Sequence, residues 1–329
     1  MKVLVTGGGG FLGQALVRRL LSRGDAVRVF NRSHYPALAD RGVDCRHGDL
    51  GDAEAVRSAC KGCDAVVHVG ARTGPGLYWP DFERANVIGT RHVLAACRAE
   101  RIGILVYTSS PSVVHAGGDI AGGDETLSYP ARFPAPYPAT KARAERSVLA
   151  ANGPDLRTVA LRPHLIWGPG DNHLLPRLID RNRAGRLRLP APEKKIDTVY
   201  IDNAAEAHVL ALDDLAGPAK SSGRVYFVSN GEPLPVAEIM RRLLEAVGET
   251  PRIRSVPLAI AKAAAAMVEP IWRGLQLKSD PPISRFMVEQ LSTAHWFDIS
   301  AAERDLEYWP AVPIEEGLRR VARAAASGQ

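Results

Sequence analysis

The sequence is poor in cysteine: its 329 residues include only four, Cys45, Cys60, Cys63 and Cys97. Four cysteines at irregular spacing do not make the framework of a disulfide-stabilised secreted domain. Cys60 and Cys63 form a single CxxC pair, and because no second pair follows, a zinc site is not expected. We therefore expect reduced thiols, a reducing compartment and no bound metal.

Long hydrophobic runs and clusters of like charge are also missing. The longest apolar run, LAIAKAAAAMV over residues 258–268, is too short to cross a bilayer and contains Lys262. The chain opens on a strand-like pattern, MKVLVTG, so a signal peptide is not expected. The net charge of +6 comes from scattered residues, which argues against nucleic-acid binding. A cytoplasmic location is therefore expected.

Short apolar runs alternate with helical patterns over residues 1–170. Runs that are apolar throughout predict strands buried on both faces, and strands that alternate with helices predict a parallel sheet covered on both sides. The predicted fold class is therefore α/β, a doubly wound (Rossmann) parallel sheet. The predicted strands include residues 2–5, 26–30, 65–69, 104–109, 157–162 and 224–229.

The alternation ends near residue 172, where a Pro- and Arg-rich segment begins. A helical pattern and one more strand return between residues 198 and 230, followed by mixed helix and loop. We predict a main domain of residues 1–172 that also receives residues 198–230. Residues 173–197 and 231–329 are predicted to form a smaller C-terminal substrate lobe over the carboxyl ends of the strands.

A glycine-rich segment, TGGGGFLG, joins the first strand to the first helix. Glycines 7, 10 and 13 are three residues apart, and glycines 8, 10 and 13 match the G-x-G-x-x-G pattern. Glycine lets the backbone approach a pyrophosphate, and the helix directs its N–H groups and positive dipole end at it. A glycine-rich hairpin, the alternative, does not explain the helix that follows. The residues expected to bind a dinucleotide here are Gly7, Gly10, Phe11, Leu12 and Gly13.

The end of the second strand, VRVFNRSHYP, indicates which dinucleotide binds. Proteins that bind NAD usually carry Asp or Glu here, to hold the ribose hydroxyls. In this sequence Asn31 replaces the carboxylate, and Arg32 and Ser33 follow it. A guanidinium and a hydroxyl bind a 2′-phosphate, with roughly 1.5–3 kcal/mol for each charge-assisted contact, so we predict NADP(H). The alternative is that Arg32 is a solvated surface residue.

The tetrapeptide HGDL, at residues 47–50, follows the third strand in chain order. Asp49 is expected to accept a hydrogen bond from the adenine amine, and Leu50 to pack on the adenine ring. The alternative is that Asp49 is a simple turn residue.

The stretch PYPATKARAE places Tyr137 and Lys141 four residues apart, so on a helix they share one face. Pro138 is expected to open that helix, because the first helical position has no N–H hydrogen bond to lose. A ketone that receives a hydride develops negative charge on its oxygen and needs a proton. A tyrosine, with an ordinary pKa of about 10, holds that proton, and a nearby ammonium lowers the pKa. The alternative is a chance pair on a surface helix.

Seven motifs occur in order along the chain: TGGGGFLG, GDL, HVGA, NVIGT, YTSSPSV, YPATK and LRPHLIWGPGD. Together they resemble the extended short-chain dehydrogenase/reductase family, and more narrowly its 3β-hydroxysteroid-dehydrogenase-like branch, which the C-terminal HWFDISAAERDLEYWP also suits. The resemblance covers nearly the whole chain. Within the branch, FNRSHYPAL, TSSPSVVH and LRPHLIWGPGDNHLLPRL look most similar to the 2-alkyl-3-oxoalkanoate reductases of bacterial long-chain olefin biosynthesis.

The resemblance implies that Tyr137 is the proton donor, that Lys141 is its partner and that Ser110 is the catalytic hydroxyl. Ser109, one residue earlier, stays an alternative for the hydroxyl. Lys141 is also expected to bond the nicotinamide ribose and fix the ring.

Further contacts to the cofactor are expected on the same resemblance. Gly70 and Ala71 are expected to contact the nicotinamide ribose through their backbone, although Gly70 stands where an alanine is more usual and predicts a looser loop. The backbone of Pro163 and His164 is expected to contact the carboxamide; a catalytic base at His164 is the weaker alternative. Asn86 either caps its helix or binds water behind Lys141.

Three functions come into question for a chain with these motifs. A sensor without chemistry needs only the phosphate loop, yet the Ser, Tyr and Lys are present. Nucleotide-sugar epimerases and dehydratases resemble R-x-x-N-x-Y-G-P, where this chain has Leu165 in place of the Asn. We therefore predict an NADPH-dependent reductase of a hydrophobic 2-alkyl-3-oxoalkanoic acid, with a 3β-hydroxysteroid or sterol dehydrogenase as the alternative.

The resemblance also implies partners. Relatives commonly form homodimers through the helices that carry NVIGT and YPATK. A β-lactone synthetase and a β-lactone decarboxylase would act after the reductase. The apolar segments LAIAKAAAAMV, PIW and RFM are expected to line a hydrophobic channel or to lie on a membrane surface, and ordinary core is the alternative for each of them.

Overall fold

The six strands predicted above all form, each within one residue of its predicted ends. The structure, a computed structural model, describes residues 1–327. Its strands are β1 Lys2–Thr6, β2 Ala26–Asn31, β3 Asp44–His47, β4 Ala65–His68, β5 Ile104–Thr108, β6 Ile120–Gly123, β7 Arg157–Pro163, β8 Ile166–Trp167, β9 Arg188–Leu189, β10 Lys195–Ile196, β11 Val199–Tyr200, β12 Val225–Val228, β13 Leu234–Pro235, β14 Arg254–Ser255 and β15 His295–Phe297.

The helices connect these strands, and two short turns of other helical types accompany them. The α-helices are α1 Phe11–Ser22, α2 Pro36–Ala39, α3 Ala53–Cys60, α4 Trp79–Phe82, α5 Gly89–Ala99, α6 Pro136–Ala150, α7 Leu174–Arg183, α8 Ile201–Ala216, α9 Val236–Ala246, α10 Leu258–Gly274, α11 Arg285–Ser292, α12 Ser300–Leu306 and α13 Ile314–Ala326. A π-helical turn, Glu83–Ile88, leads into α5, and a 3₁₀ turn spans Pro111–Val113.

Seven strands form one parallel sheet in the order β12-β7-β5-β4-β1-β2-β3. The chain builds β2 and β3 on one side of β1 and then crosses to build β4, β5, β7 and β12 on the other. The predicted doubly wound fold class is therefore confirmed. In such sheets ligands bind outside the carboxyl ends of the strands where the order reverses, here between β1 and β4.

Alternating residues of each strand contribute their side chains to two hydrophobic layers. Val3 and Val67 point to a layer that contains α1 and α8, while Leu4 and Val66 point to a layer that contains α3, α5 and α6. Both layers are fully buried, which explains why the strands read as continuous apolar runs. The sheet is therefore a rigid platform for the loops at its carboxyl edge.

A second sheet lies in the C-terminal part of the chain, in the order β13-β10-β15-β6. Strand β6 belongs to it by pairing with β15, although residues 120–123 fall within the range predicted for the main domain. Strand β12, from the 198–230 range, joins the main sheet beside β7. The domain boundaries themselves stay a prediction.

Helix α6 begins earlier than expected. Its first residue is Pro136, after Ala135 at the N-cap, so the prediction that Pro138 opens the helix is wrong. Pro138 is its third residue. Both prolines fit, because the first four N–H groups of a helix have no partner within it.

The apolar run at residues 258–268 forms the first part of α10. Ile260, Met267 and Ile271 on this helix are exposed. Of the helices within residues 1–327, none is both long and apolar enough to cross a bilayer. Over the same residues, no group of three or more potential metal ligands comes together.

Candidate active site

A cavity of about 940 Å³ lies at the carboxyl edge of the main sheet. It brings together every predicted site residue except Lys141 and Asn86, which do not line it. Those that line it are Gly7, Gly10, Phe11, Leu12, Gly13, Asn31, Arg32, Ser33, Asp49, Leu50, Gly70, Ala71, Ser110, Tyr137, Pro163 and His164. Ser109 lines it as well.

The glycine loop packs too closely for side chains. Gly7 has a φ of +70°, and a Cβ on it would lie 2.8 Å from the Gly70 Cα. A Cβ on Gly13 would lie 2.1 Å from the Gly7 carbonyl oxygen. Gly10 is the N-cap of α1 and offers no side chain to its first N–H groups. The loop therefore leaves a bare helix N-terminus at the cavity, which fits a pyrophosphate.

Asn31 braces this loop, a role that sequence reasoning missed. Its Oδ1 accepts a hydrogen bond of 2.9 Å from the backbone N–H of Gly9. Because the amide is neutral, it fixes the loop without placing a negative charge beside the ribose site. Arg32 and Ser33 follow it, exposed at the cavity rim, and within residues 1–327 Arg32 forms no ion pair.

Asp49 makes the hydrogen bond of a turn residue. Its Oδ1 accepts from the N–H of Gly51 at 2.6 Å and from Arg84 Nε at 3.3 Å. Leu50 packs beside Gly70, on which a Cβ would lie 3.0 Å from the Leu50 Cδ1. The contacts of Asp49 and Leu50 with adenine stay predictions.

Tyr137 and Ser110 meet at the other side of the cavity. Burial raises the pKa of the Tyr137 phenol, and a hydrogen bond with the Ser110 hydroxyl opposes that rise. The Ser110 hydroxyl also shares a 2.9 Å hydrogen bond with that of Ser112. The Ser109 hydroxyl is buried, and no partner for it lies among the described residues. Of the two serines, Ser110 is therefore the one whose hydroxyl influences the pKa of the phenol.

Lys141 lies one turn after Tyr137 on α6 and is only 3% exposed. Its Nζ donates to the Thr108 carbonyl at the end of β5 and lies 4.2 Å from the Tyr107 ring centroid. Burial lowers the pKa of Lys141 to about 7, while the Glu145 carboxylate opposes this shift. The ammonium was expected to lower the pKa of the phenol, but that pKa is raised, since burial dominates and the cation is held at a carbonyl.

Asn86 connects the loop after β4 to α6. Its Oδ1 accepts from the N–H of Arg72 at 2.8 Å, and its Nδ2 donates to the Arg72 carbonyl and to Thr140 Oγ1, both at 3.0 Å. Asn86 lies inside the π-helical turn, so the prediction that it caps a helix is wrong. An amide that bonds both backbone groups of a distant residue leaves no local pattern by which the sequence could reveal it.

Comparisons with known proteins identify the family of this chain. The model for the 3-beta hydroxysteroid dehydrogenase/isomerase family matches residues 4–258. The chain belongs to this family. It is an oxidoreductase of the short-chain dehydrogenase/reductase type that acts on hydroxyl or keto groups with a nicotinamide dinucleotide. The glycine loop and the bare N-terminus of α1 fit that cofactor.

Named relatives match nearly the whole length of this chain. A 2-alkyl-3-oxoalkanoate reductase of Stenotrophomonas maltophilia (strain K279a) is 53% identical, over 99% of this chain and 100% of the relative. One of Shewanella oneidensis is 45% identical, over 96% and 84%. The solved UDP-glucose 4-epimerase of Thermus thermophilus, in complex with NAD, superposes with a TM-score of 0.77 at 25% identity over 100% of both chains. The chain is therefore similar in sequence to these reductases and in fold to this epimerase.

His164 of this family member has both ring nitrogens engaged. Its Nδ1 accepts from the N–H of Leu165 at 2.7 Å, so Nε2 carries the proton and donates to His295 Nδ1 at 2.8 Å. Burial holds the pKa of His164 well below its ordinary value. A neutral imidazole without a free nitrogen is not a general base. The backbone N–H of His164 donates to Val228, which leaves only carbonyls of Pro163 and His164 for the predicted carboxamide contact.

The pKa of Lys141 predicts how the reaction depends on pH. The phenol stays protonated near neutrality, so the lysine is the group that titrates. We expect kcat/KM for ketone reduction to be steady below the lysine pKa of about 7 and to fall as pH rises through it, because the ammonium that stabilises the phenolate loses its charge. The measurement is a pH profile of kcat/KM, which reports the free enzyme.

Lys141→Arg provides the control, because arginine keeps its charge over this range. Its residual activity should show no decline near pH 7, where the wild-type pKa lies. A wild-type profile that is level through this range would show that the charge of Lys141 does not limit the reaction.

Proposed function

We propose that this enzyme uses NADPH to reduce a 2-alkyl-3-oxoalkanoic acid to the 2-alkyl-3-hydroxyalkanoic acid, as a step in bacterial long-chain olefin biosynthesis. The Ser110 hydroxyl and the Tyr137 phenol, which line one cavity with the glycine loop, carry the assignment of ketone reduction. The substrate class is supported by the 53% identical relative, whose name states it and whose whole length is matched.

The roles of the site residues are part of this proposal. When bound, the reduced dinucleotide supplies the hydride that reaches the ketone carbon. The Ser110 hydroxyl bonds the ketone oxygen and holds it beside Tyr137. The Tyr137 phenol donates its proton to that oxygen as negative charge develops there. Lys141 stabilises the phenolate that results and bonds the nicotinamide ribose.

The cavity wall near Tyr137 suits an apolar substrate. Leu165, Phe286 and Phe297 line the cavity, and the Phe286 ring centroid lies 6.3 Å from that of Tyr137. A nucleotide-sugar substrate needs polar partners that an aliphatic side chain at position 165 does not offer. The alternative substrate is a 3β-hydroxysteroid or sterol, which the family membership favours.

A substrate panel tests the proposal. Racemic 2-alkyl-3-hydroxyalkanoic acid, a 3β-hydroxysteroid and a UDP-sugar are each supplied with NADP⁺ or NAD⁺, and formation of the reduced cofactor is followed by absorbance. We expect turnover of the hydroxy acid with NADP⁺. Turnover of the steroid without the acid would replace the proposed substrate with the alternative.

The choice of NADPH rests on Arg32 and Ser33 at the cavity rim. We expect Arg32→Gln to lower kcat/KM for NADPH roughly tenfold or more, because one charge-assisted contact to the 2′-phosphate is lost, and to leave kcat/KM for NADH nearly unchanged. Arg46→Gln is the matched control, since Arg46 is exposed on neighbouring β3 and pairs with Asp44. Equal losses of kcat/KM with NADPH and NADH would show that Arg32 does not bind the 2′-phosphate.

The predicted partners belong to the same proposal. The product would pass to a β-lactone synthetase and then to a β-lactone decarboxylase, in the cytoplasm or at a membrane surface. A homodimer through α5 and α6 would bring their exposed residues Arg91, Arg98, Arg143 and Arg146 close to their copies. Light scattering at two salt concentrations tests it: a dimer through this basic surface should dissociate more readily at low salt.

A further inference from the structure

Arg72 presents a cation to the cavity. It follows Gly70 and Ala71 in the loop after β4, and its side chain is 36% exposed. The guanidinium carbon lies 5.6 Å from the centroid of the Phe82 ring, and the buried Nε has no hydrogen-bond partner in residues 1–327. The terminal amino groups are therefore the part of Arg72 that is available to a ligand.

The backbone of Arg72 is connected by hydrogen bonds to the helical turn of Tyr137. Asn86 binds both the N–H and the carbonyl of Arg72 and donates to Thr140 Oγ1. The Thr140 hydroxyl donates to the carbonyls of Pro136, at 2.8 Å, and Tyr137, at 3.1 Å. Three consecutive contacts thus connect the backbone of Arg72 to the helical turn that carries the phenol. Such a connection is what two groups need in order to hold two neighbouring polar groups of one substrate.

The other arginines of the cavity lie at its nucleotide half. Arg32 follows β2, and Arg84 pairs with Asp49, which follows β3. Both strands lie on one side of β1, whereas Arg72 follows β4 and shares the other side with Ser110 after β5. His164, with both nitrogens engaged, adds no charge. Arg72 is therefore the cation placed for the substrate rather than for the nucleotide.

Asp280 does not satisfy Arg72. Its Oδ1 lies 3.6 Å from the Arg72 Nη2, which is longer than a hydrogen bond. Its Oδ2 lies 2.7 Å from the Nη2 of Arg177 on α7. One carboxylate is thus shared by two guanidinium groups, and the closer contact belongs to Arg177. A second carboxylate at Arg72 would balance the charge.

We propose that Arg72 is a specificity-determining residue: it binds the carboxylate of the oxo acid through its terminal amino groups while Ser110 and Tyr137 hold the 3-oxygen. This inference rests on the proposed function for the identity of the substrate. An arginine fork matches the two oxygens of a carboxylate, so Arg72 would favour acids over neutral ketones of the same shape.

The test compares an acid with its neutral counterpart. Wild type and Arg72→Gln oxidise 2-alkyl-3-hydroxyalkanoic acid and its methyl ester with NADP⁺. We expect wild type to favour the acid at least tenfold in kcat/KM, and Arg72→Gln to raise KM for the acid roughly 10- to 100-fold with little change in kcat or in the ester reaction. Equal losses for acid and ester in Arg72→Gln, or no wild-type preference, would overturn the proposal.

Two further measurements separate the possible causes. Asp280→Asn removes the carboxylate that could compete for Arg72 but keeps the guanidinium, so the acid KM should not rise by more than about threefold. A rise in the acid KM in Asp280→Asn as large as in Arg72→Gln would assign the effect to the Asp280 contact and overturn the proposal.

Calorimetry with a 2-alkylalkanoic acid, which lacks the 3-oxygen and cannot react, measures binding directly. We expect binding to wild type with NADP⁺ and a loss of roughly tenfold or more in Arg72→Gln. If Arg72→Gln weakens binding in this way but wild type turns over neither the hydroxy acid nor its ester, the role of Arg72 in carboxylate binding is supported and the proposed reaction is rejected. Equal binding to wild type and Arg72→Gln would reject the role of Arg72 but not the proposed reaction.

Discussion

Replacing Tyr137 by phenylalanine is expected to lower kcat by roughly 10²- to 10⁴-fold, the range for loss of a positioned general acid. The variant keeps the ring that packs beside Phe286 and removes only the hydroxyl. The cavity and the glycine loop are left as they are. The dissociation constant for NADPH, measured by fluorescence titration, should therefore stay within about twofold.

A buried tyrosine outside the cavity provides the control for this variant. Tyr226 on β12 donates from its hydroxyl to Asp305 at 3.0 Å and does not line the cavity. Tyr226→Phe removes the same hydroxyl from the core without touching the site, so its kcat should stay within about threefold of wild type. Retention of more than a tenth of wild-type kcat by Tyr137→Phe would refute the proton-donor role.

Replacing Arg162 by alanine is expected to destabilise the fold by roughly 3–5 kcal/mol, the usual effect of breaking a buried ion pair on one side. Arg162 and Glu145 are 2% and 0% exposed, and the guanidinium makes two hydrogen bonds to the carboxylate, at 3.1 and 2.7 Å. Without Arg162, the Glu145 carboxylate still accepts a hydrogen bond of 2.6 Å from the Tyr129 hydroxyl, but it no longer has a cation as a hydrogen-bond partner. Denaturant unfolding without cofactor measures the change.

The double variant Arg162→Met, Glu145→Leu distinguishes a lost pair from a lost shape. Because both charges leave together, we expect it to recover most of the stability that Arg162→Ala loses. If Arg162→Ala costs less than about 1 kcal/mol, or if the double variant is no more stable, the ion pair does not support the fold as proposed.

This ion pair also connects two halves of the site. Glu145 lies one turn after Lys141 on α6, and Arg162 directly precedes Pro163 and His164 on β7. The Glu145 carboxylate is the charge that opposes the burial of Lys141 and keeps its pKa from falling further than about 7. Removing Glu145 is therefore expected to move the decline of kcat/KM to lower pH, the same direction in which the pKa of Lys141 would shift.

Local patterns were enough for the fold and for part of the site. Buried strands and amphipathic helices show their periodicity within short runs of residues, so the parallel sheet and six of its seven strands followed from periodicity. Strand β3 is largely exposed and has no apolar run that would predict it. The glycines of the phosphate loop and the spacing of Tyr137 and Lys141 are local too, because one turn of backbone sets their geometry. The family resemblance added Ser110, which lines the same cavity as the phenol.

What only the tertiary structure decided are the contacts between distant segments. Asn86 with Thr140, Arg162 with Glu145, and His164 with His295 are 54, 17 and 131 residues apart in the chain. No periodicity records such pairs, and each depends on how the helices and loops pack on the sheet. The pKa of Lys141 is of this kind as well. Its spacing from Tyr137 was visible in the sequence, but its charge depends on burial, which arises only when the elements around α6 close over it.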